Sequence, residues 1–181
     1  MADSSGRRAS LLPGITAGPN EQHEKLNWIL IGALACARQT VRIMTPYFIP
    51  TRAQLAAISA AALRGVRVDI LLPEKNNLPY VGWATNAFLF ELLEHGVNIY
   101  FQPPPFVHSK LLLIDEEYAL IGSANIDPRS LRLNFEFNVE IFEPGVTAEL
   151  AQHFDFCRER SRQVSLEEMD RRSLLLRLRD S

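Results

Sequence analysis

The chain has 181 residues, 47 % hydrophobic and 22 % charged, with 19 basic and 21 acidic side chains and a formal net charge of −2. That length and balance suit one domain with a sizeable core. They argue against a protein built to hold nucleic acid without sequence preference, which would carry a basic surface.

Residues 1–19, rich in Ser, Gly and Arg, read as a flexible lead-in or linker, and 20–181 as a single domain. The opening residues lack the continuous apolar core of a signal peptide. The run 29–37 is far shorter than the roughly 20 residues that span a bilayer. A soluble chain without a transmembrane segment is expected. Between 21 and 38, Leu26, Ile29, Leu30, Ala33, Leu34 and Ala37 recur at helical spacing, with Asn20 as a cap. A short strand over 41–45 ends at Pro46. Tyr47 and Phe48 follow it, either lining a pocket for an acyl chain or glycerol, or packing under the next loop. Thr51 caps a helix over 52–64 that stops at Gly65. A buried strand over 66–72, a helix over 81–95 stopped by Gly96, and a strand over 97–101 come next. His95, in a last helical turn, reads as structural. Three prolines, 103–105, cannot donate to a ladder and set the entry of the His108 strand.

The stretch 106–136, FVHSKLLLIDEEYALIGSANIDPRSLRLNFE, concentrates the polar chemistry of the chain. His108 and Lys110 are two apart, so an extended strand points both to one face. An apolar run of four residues leads to Asp115, Glu116-Glu117 makes a turn, and a second apolar segment ends at Gly122-Ser123-Ala124-Asn125. Two strands thus bring an imidazole, an ammonium, a hydroxyl and a carboxamide to one place. Those groups suit a phosphate diester. Lys110, Ser123 and Asn125 can hold its non-bridging oxygens, and neutral imidazole at His108 can attack phosphorus. Glu136 is a candidate to hold the second ring nitrogen. It lies in NFEFNVEIF, where Asn134, Glu136, Asn138 and Glu140 alternate with Phe135, Phe137, Val139 and Ile141. The apolar set is expected to be buried. Asp127 and Arg129 either form a loop-holding pair or present Arg129 to substrate.

Beyond Glu143-Pro144-Gly145, an amphipathic helix runs over 148–160, with His153 on its surface. Ser165 to Glu168 has the form of a capping box, opening a last helix whose leucines and arginines either dock on the domain or rest on an anionic membrane. Cys36 and Cys157 read as buried free thiols. No cluster of His, Cys and carboxylates has ligand spacing, so neither a metal nor another cofactor is expected. Helices alternating with strands, followed by consecutive strands, give an α/β fold: a mixed sheet with helices on both faces.

The spacing His108-x-Lys110, Asp115, Gly122-Ser123-x-Asn125 resembles the HxKxxxxDxxxxxxGSxN motif of the phospholipase D superfamily. With the flanking segments from about 18 to 163, the chain is similar to the C-terminal half of bacterial cardiolipin synthases. The resemblance implies an α-β-α sandwich and a site completed by a second HxK motif, with one histidine becoming phosphatidylated and the other serving as acid and base. It implies that Lys110 and Asn125 bind phosphoryl oxygens with Ser123 in support, that Glu136 pairs with His108, and that Asp115 is a structural carboxylate near the interface. It also places Asp127 and Arg129 in support. Expected partners are a second HxK domain, either an upstream half or a homodimer mate, and a phospholipid. The expected setting is bacterial, peripheral at the membrane. Cardiolipin-synthase-type phosphatidyl transfer is the expected activity. The alternatives are a homodimeric single-motif phosphodiesterase acting on nucleic acid, or an isolated half-enzyme without turnover.

Overall fold

A computed structural model describes residues 14–17, 23–74, 88–127 and 135–169. Eight strands form one mixed sheet: β1 (Gly14–Ala17), β2 (Thr40–Met44), β3 (Arg67–Pro73), β4 (Asn98–Gln102), β5 (Leu111–Ile114), β6 (Tyr118–Gly122), β7 (Glu136–Ile141) and β8 (Arg162–Gln163). Their order is β1-β7-β6-β5-β2-β3-β4-β8. Strands β2, β3 and β4 are parallel, and the remaining pairings are antiparallel.

Alternation along each strand divides the core in two. Val41, Ile43, Val68, Ile70, Ile99, Leu112, Ile114 and Leu120 face α1 (His23–Cys36), α2 (Arg52–Leu63) and the helical residues 88–94, here α3. Met44, Leu71, Leu111, Leu113, Ala119 and Ile141 face Ala151, Phe154 and Cys157 of α4 (Pro144–Glu159). Helices on both faces of a mixed sheet are the architecture expected from the sequence. In α1 the buried residues Leu26, Leu30 and Leu34 recur every fourth position. In α2, Thr51 and Gln54 complete a capping box, and Gly65 beyond the helix has φ +90°.

Several expectations change. Gly14–Ala17, inside the stretch read as a lead-in, is a strand on the β7 edge. Its Ile15, 2 % exposed, is too short an apolar signal to show by periodicity. Strand β5 begins at Leu111, so His108 and Lys110 stand just before it. Helix α4 starts four residues early, because Pro144 takes its first turn and Glu143 caps it, accepting from Val146 N–H at 2.7 Å. Cys36 is exposed, lying off the buried stripe of α1, whereas Cys157 is buried; both thiols are free. The two faces of β7 are reversed at its start: Phe135 is 86 % and Phe137 55 % exposed, while Glu136 is 7 % and Asn138 3 % exposed. The reason is that the polar face turns toward the site. Arg129 and residues 170–181, including most of the expected last helix, lie outside the described residues.

Candidate active site

Because β5 and β6 run antiparallel to their neighbours, the start of β5, the end of β6 and the start of β7 meet at the C-terminal ends of β2, β3 and β4. Such an edge is where open α/β sheets bind ligands. His108, Lys110, Ser123, Asn125 and Glu136 all lie there, and with them Thr45 and Tyr47 at the end of β2.

Lys110 is 9 % exposed. Its Nζ lies 2.7 Å from His108 Nδ1 and 3.4 Å from Nε2, and it donates to the His108 carbonyl at 2.7 Å. Burial lowers the Lys110 pKa below its ordinary 10.5, and the charge of Glu136 opposes that shift. Partial burial and then the Lys110 charge hold His108 below its ordinary 6.5, so the imidazole is neutral at pH 7 and available as a base or nucleophile.

The turn after β6 is fixed from β7. Ser123 N–H donates to the Phe137 carbonyl at 3.0 Å, Phe137 N–H returns to Ser123 Oγ at 3.0 Å, and Ser123 Oγ donates to Glu136 Oε2. Glu136 therefore acts on both Ser123 and Lys110. Asn138 Oδ1 accepts from Ala124 N–H at 3.4 Å. Its carboxamide lies against Gly122, where an added Cβ would stand 2.2 Å from Oδ1 and 2.4 Å from the Phe137 carbonyl. The glycine of Gly122-Ser123-x-Asn125 is required by this close approach. Thr45, Lys110, Gly122, Asn125 and Asn138 line a small cavity of about 30 Å³ behind the site.

The remaining expected residues separate from this group. Asp115 lies at the far end of β5. Its carboxylate accepts from the N–H groups of Arg38, Gln39 and Thr40 at 2.7, 2.8 and 2.7 Å. Burial pushes its pKa up, but those bonds outweigh it and hold the group below the ordinary 3.8. Asp127 is buried just beyond Ile126. Phe48 is 1 % exposed and packs inside the main core; the bridge from Phe48 to Ile126 and the bond from Ile49 N–H to the Ile126 carbonyl (2.7 Å) hold it. Tyr47 is half-buried, with ring contacts to Phe106 and His108. Phe106 and Thr45 escape assignment from sequence, which places Asn138 only on the polar face of its strand, without a role. Phe106 had one signal, an aromatic residue two positions before the histidine and directly after the prolines.

Residues 30–158 match the family described as cardiolipin synthase, phospholipase D-like domain. Cardiolipin synthase 2 of Staphylococcus epidermidis is 41 % identical over 165 residues, covering 91 % of this chain and 34 % of that protein. The major cardiolipin synthase ClsA of Bacillus subtilis is 36 % identical over 167 residues, covering 92 % and 35 %. The chain thus spans about a third of the length of these curated relatives. Among solved structures, Nuc of Salmonella typhimurium, a phospholipase D family member, superposes with a TM-score of 0.73 at 22 % identity, over 85 % of this chain and 99 % of Nuc. The phosphatidylserine synthase of Haemophilus influenzae superposes at 0.70 with 18 % identity, over 87 % and 41 %.

Proposed function

This chain belongs to the cardiolipin synthase, phospholipase D-like domain family, and from that premise we propose that it supplies one half of a phosphatidyl-transferring active site. The observation that carries the reading is the nearly buried Lys110 ammonium against a neutral His108, at the sheet edge that also holds Ser123, Asn125 and Glu136.

In the proposed reaction a phosphatidylglycerol phosphate lies between Lys110 and Asn125, which donate to its non-bridging oxygens. In the free site the Lys110 ammonium donates to Nδ1 and the ring proton sits on Nε2. Once Lys110 turns to the phosphate oxygens that proton passes through solvent to Nδ1, and the freed Nε2 lone pair of His108 forms a bond to phosphorus. The bond from phosphorus to the glycerol oxygen breaks, and that oxygen takes a proton from the histidine of a second HxK motif. The hydroxyl of a second phosphatidylglycerol then attacks phosphorus and gives its proton to that same histidine. The N–P bond breaks and neutral His108 returns. Covalent catalysis divides one displacement into two. Glu136 opposes the lowering of the Lys110 pKa that burial causes, and so favours the ammonium. Asp127, buried just beyond Ile126, supports the turn after Asn125. A phospholipid substrate implies peripheral contact with a membrane; among the described residues no helix is long and apolar enough to cross one.

The second HxK motif comes from another domain: His23-Glu24-Lys25 is the other such triplet in this sequence, but it opens helix α1 and lacks the Asp and Gly-Ser-x-Asn that follow His108. The superposition over 99 % of Nuc favours a second reading, in which two copies of this chain share a homodimeric phosphodiesterase site about a twofold axis.

The test is incubation with phosphatidylglycerol vesicles, alone and with a second HxK domain, followed by mass spectrometry for cardiolipin and glycerol. Cardiolipin that needs a second motif and vanishes in His108→Ala supports the first reading. Cleavage of a soluble diester by a dimer of this chain alone supports the second. Turnover that survives His108→Ala overturns both.

A further inference from the structure

His108 lies outside the regular strand, so the ladder of β5 does not aim its ring. Three aromatic rings close a triangle at this point. Tyr47 stands edge-on to His108 at 6.0 Å between centroids, Phe106 tilts against it at 5.9 Å, and Tyr47 and Phe106 are 6.3 Å apart. All three distances fall in the range of favourable aromatic pairs. Tyr47 is itself held. Thr45 Oγ donates to its carbonyl at 2.9 Å, and the next residues, Phe48 and Ile49, are bound to Ile126, immediately after Asn125. Lys110 Nζ flanks the ring on the side nearer Nδ1, and His108 remains exposed beyond these contacts.

We propose that Tyr47 and Phe106 are positioning residues that lock the His108 imidazole with Nδ1 on the Lys110 side, so that Nε2, freed of its proton when Lys110 turns to a bound phosphate, is the nitrogen presented to phosphorus. This rests on the reading of His108 as the nucleophile, and it moves Tyr47 from lining a lipid pocket to orienting the ring. A stiff aromatic wall suits that task better than a hydrogen bond alone, because it restricts rotation of the ring without occupying either nitrogen's lone pair.

Phosphoramidate, a small phosphoryl donor, tests this without turnover. A ring nitrogen forms a bond to phosphorus, the bond from phosphorus to the donor nitrogen breaks, and ammonia leaves. The two phosphohistidine isomers give separate ³¹P signals, and those of His108 are the ones missing in His108→Ala. The native chain and Tyr47→Phe should give the Nε2 isomer of His108. Tyr47→Leu and Phe106→Leu, shown to be folded by a cooperative melt, should shift the ratio at least tenfold toward the Nδ1 isomer. The same ratio in the native chain and in urea-unfolded chain overturns the proposal, whether or not the leucine variants fold. So does an unchanged ratio in folded leucine variants, as a residue that only lines a lipid pocket would leave it. A native chain in which other histidines react and His108 does not also overturns it. Failure of the transfer reading would appear instead as absent cardiolipin in the assembled protein, which the isomer ratio does not measure.

Discussion

Lys110 and Asp115 are five positions apart, about 16 Å along an extended strand, and they belong to the same sequence motif. At the Asp115 end, a carboxylate takes three backbone N–H groups, and Asp115 and Glu116 turn the chain with φ of +53° and +61°. Thr147 Oγ1 of α4 donates to the Glu116 carbonyl at 2.5 Å. The charge there is satisfied and its pKa falls in the direction that stabilises the fold. At the Lys110 end, an ammonium is buried against a neutral imidazole and its pKa falls in the direction that costs stability. One end of the hairpin holds the domain together, and the other carries an electrostatic cost of the kind that the proposed function would use on an anionic substrate. Membership of a motif therefore does not assign a role; the partners of each side chain do.

Four substitutions would break or sharpen this contrast. His108→Ala should lower turnover in an assembled enzyme by on the order of 10⁴-fold, while a thermal melt moves by less than about 2 °C. Unfolding of that variant would place His108 among the structural residues. Lys110→Met should reduce turnover by about 10²–10³-fold. It also removes one of the two causes that hold His108 down, so the ring's NMR titration should move up toward 6.5. A group with a depressed pKa stays neutral to lower pH, so the acid limb of the native rate profile should lie below 6.5 and move up with the same substitution.

Gly122→Ala drives a Cβ into the Phe137 carbonyl and the Asn138 carboxamide. It should cost about 2–3 kcal/mol and lower the melting temperature by about 5–10 °C. Asp115→Asn keeps a residue that accepts positive φ, yet sets an NH₂ group against one of the three N–H donors. A loss of about 1–2 kcal/mol is expected by denaturant titration, with phosphate binding unchanged. Asp115 has a folded pKa below its unfolded value. Its contribution is therefore complete above about pH 5 and is lost as pH falls through the folded pKa, below 3.8. The gap between native and Asp115→Asn stability should close over that acid range. A gap that persists at pH 2 would mean that Asp115 does not act through its charge.

The helices and most strands could be read because local periodicity and caps determine them, as at Thr51, Gly65 and Gly96. The cluster at the site could be read because polar residues set between two apolar strands have few other uses. Alternation in β7 showed two faces, and the usual rule put the apolar one inside; a polar face that builds a site inverts that rule, as Glu136 and Asn138 do against Phe135 and Phe137. The contact of Tyr47 and Phe106 with His108 joins segments about 60 residues apart in sequence. No local pattern encodes such a meeting. Strand β1 was hidden for a similar reason, since its four residues become a strand only against the β7 edge.

The two thiols differ in a way that can be used. Cys36 is exposed at the end of α1, two residues before the Arg38 N–H that Asp115 holds, whereas Cys157 is buried and burial raises its pKa. A maleimide dye at neutral pH should therefore attach to one residue in the native chain, because access favours Cys36 and burial disfavours the Cys157 thiolate. The label would sit beside the carboxylate clamp and away from the substrate edge. It would report loosening of the hairpin's fixed end by fluorescence while the Lys110 end remains chemically untouched.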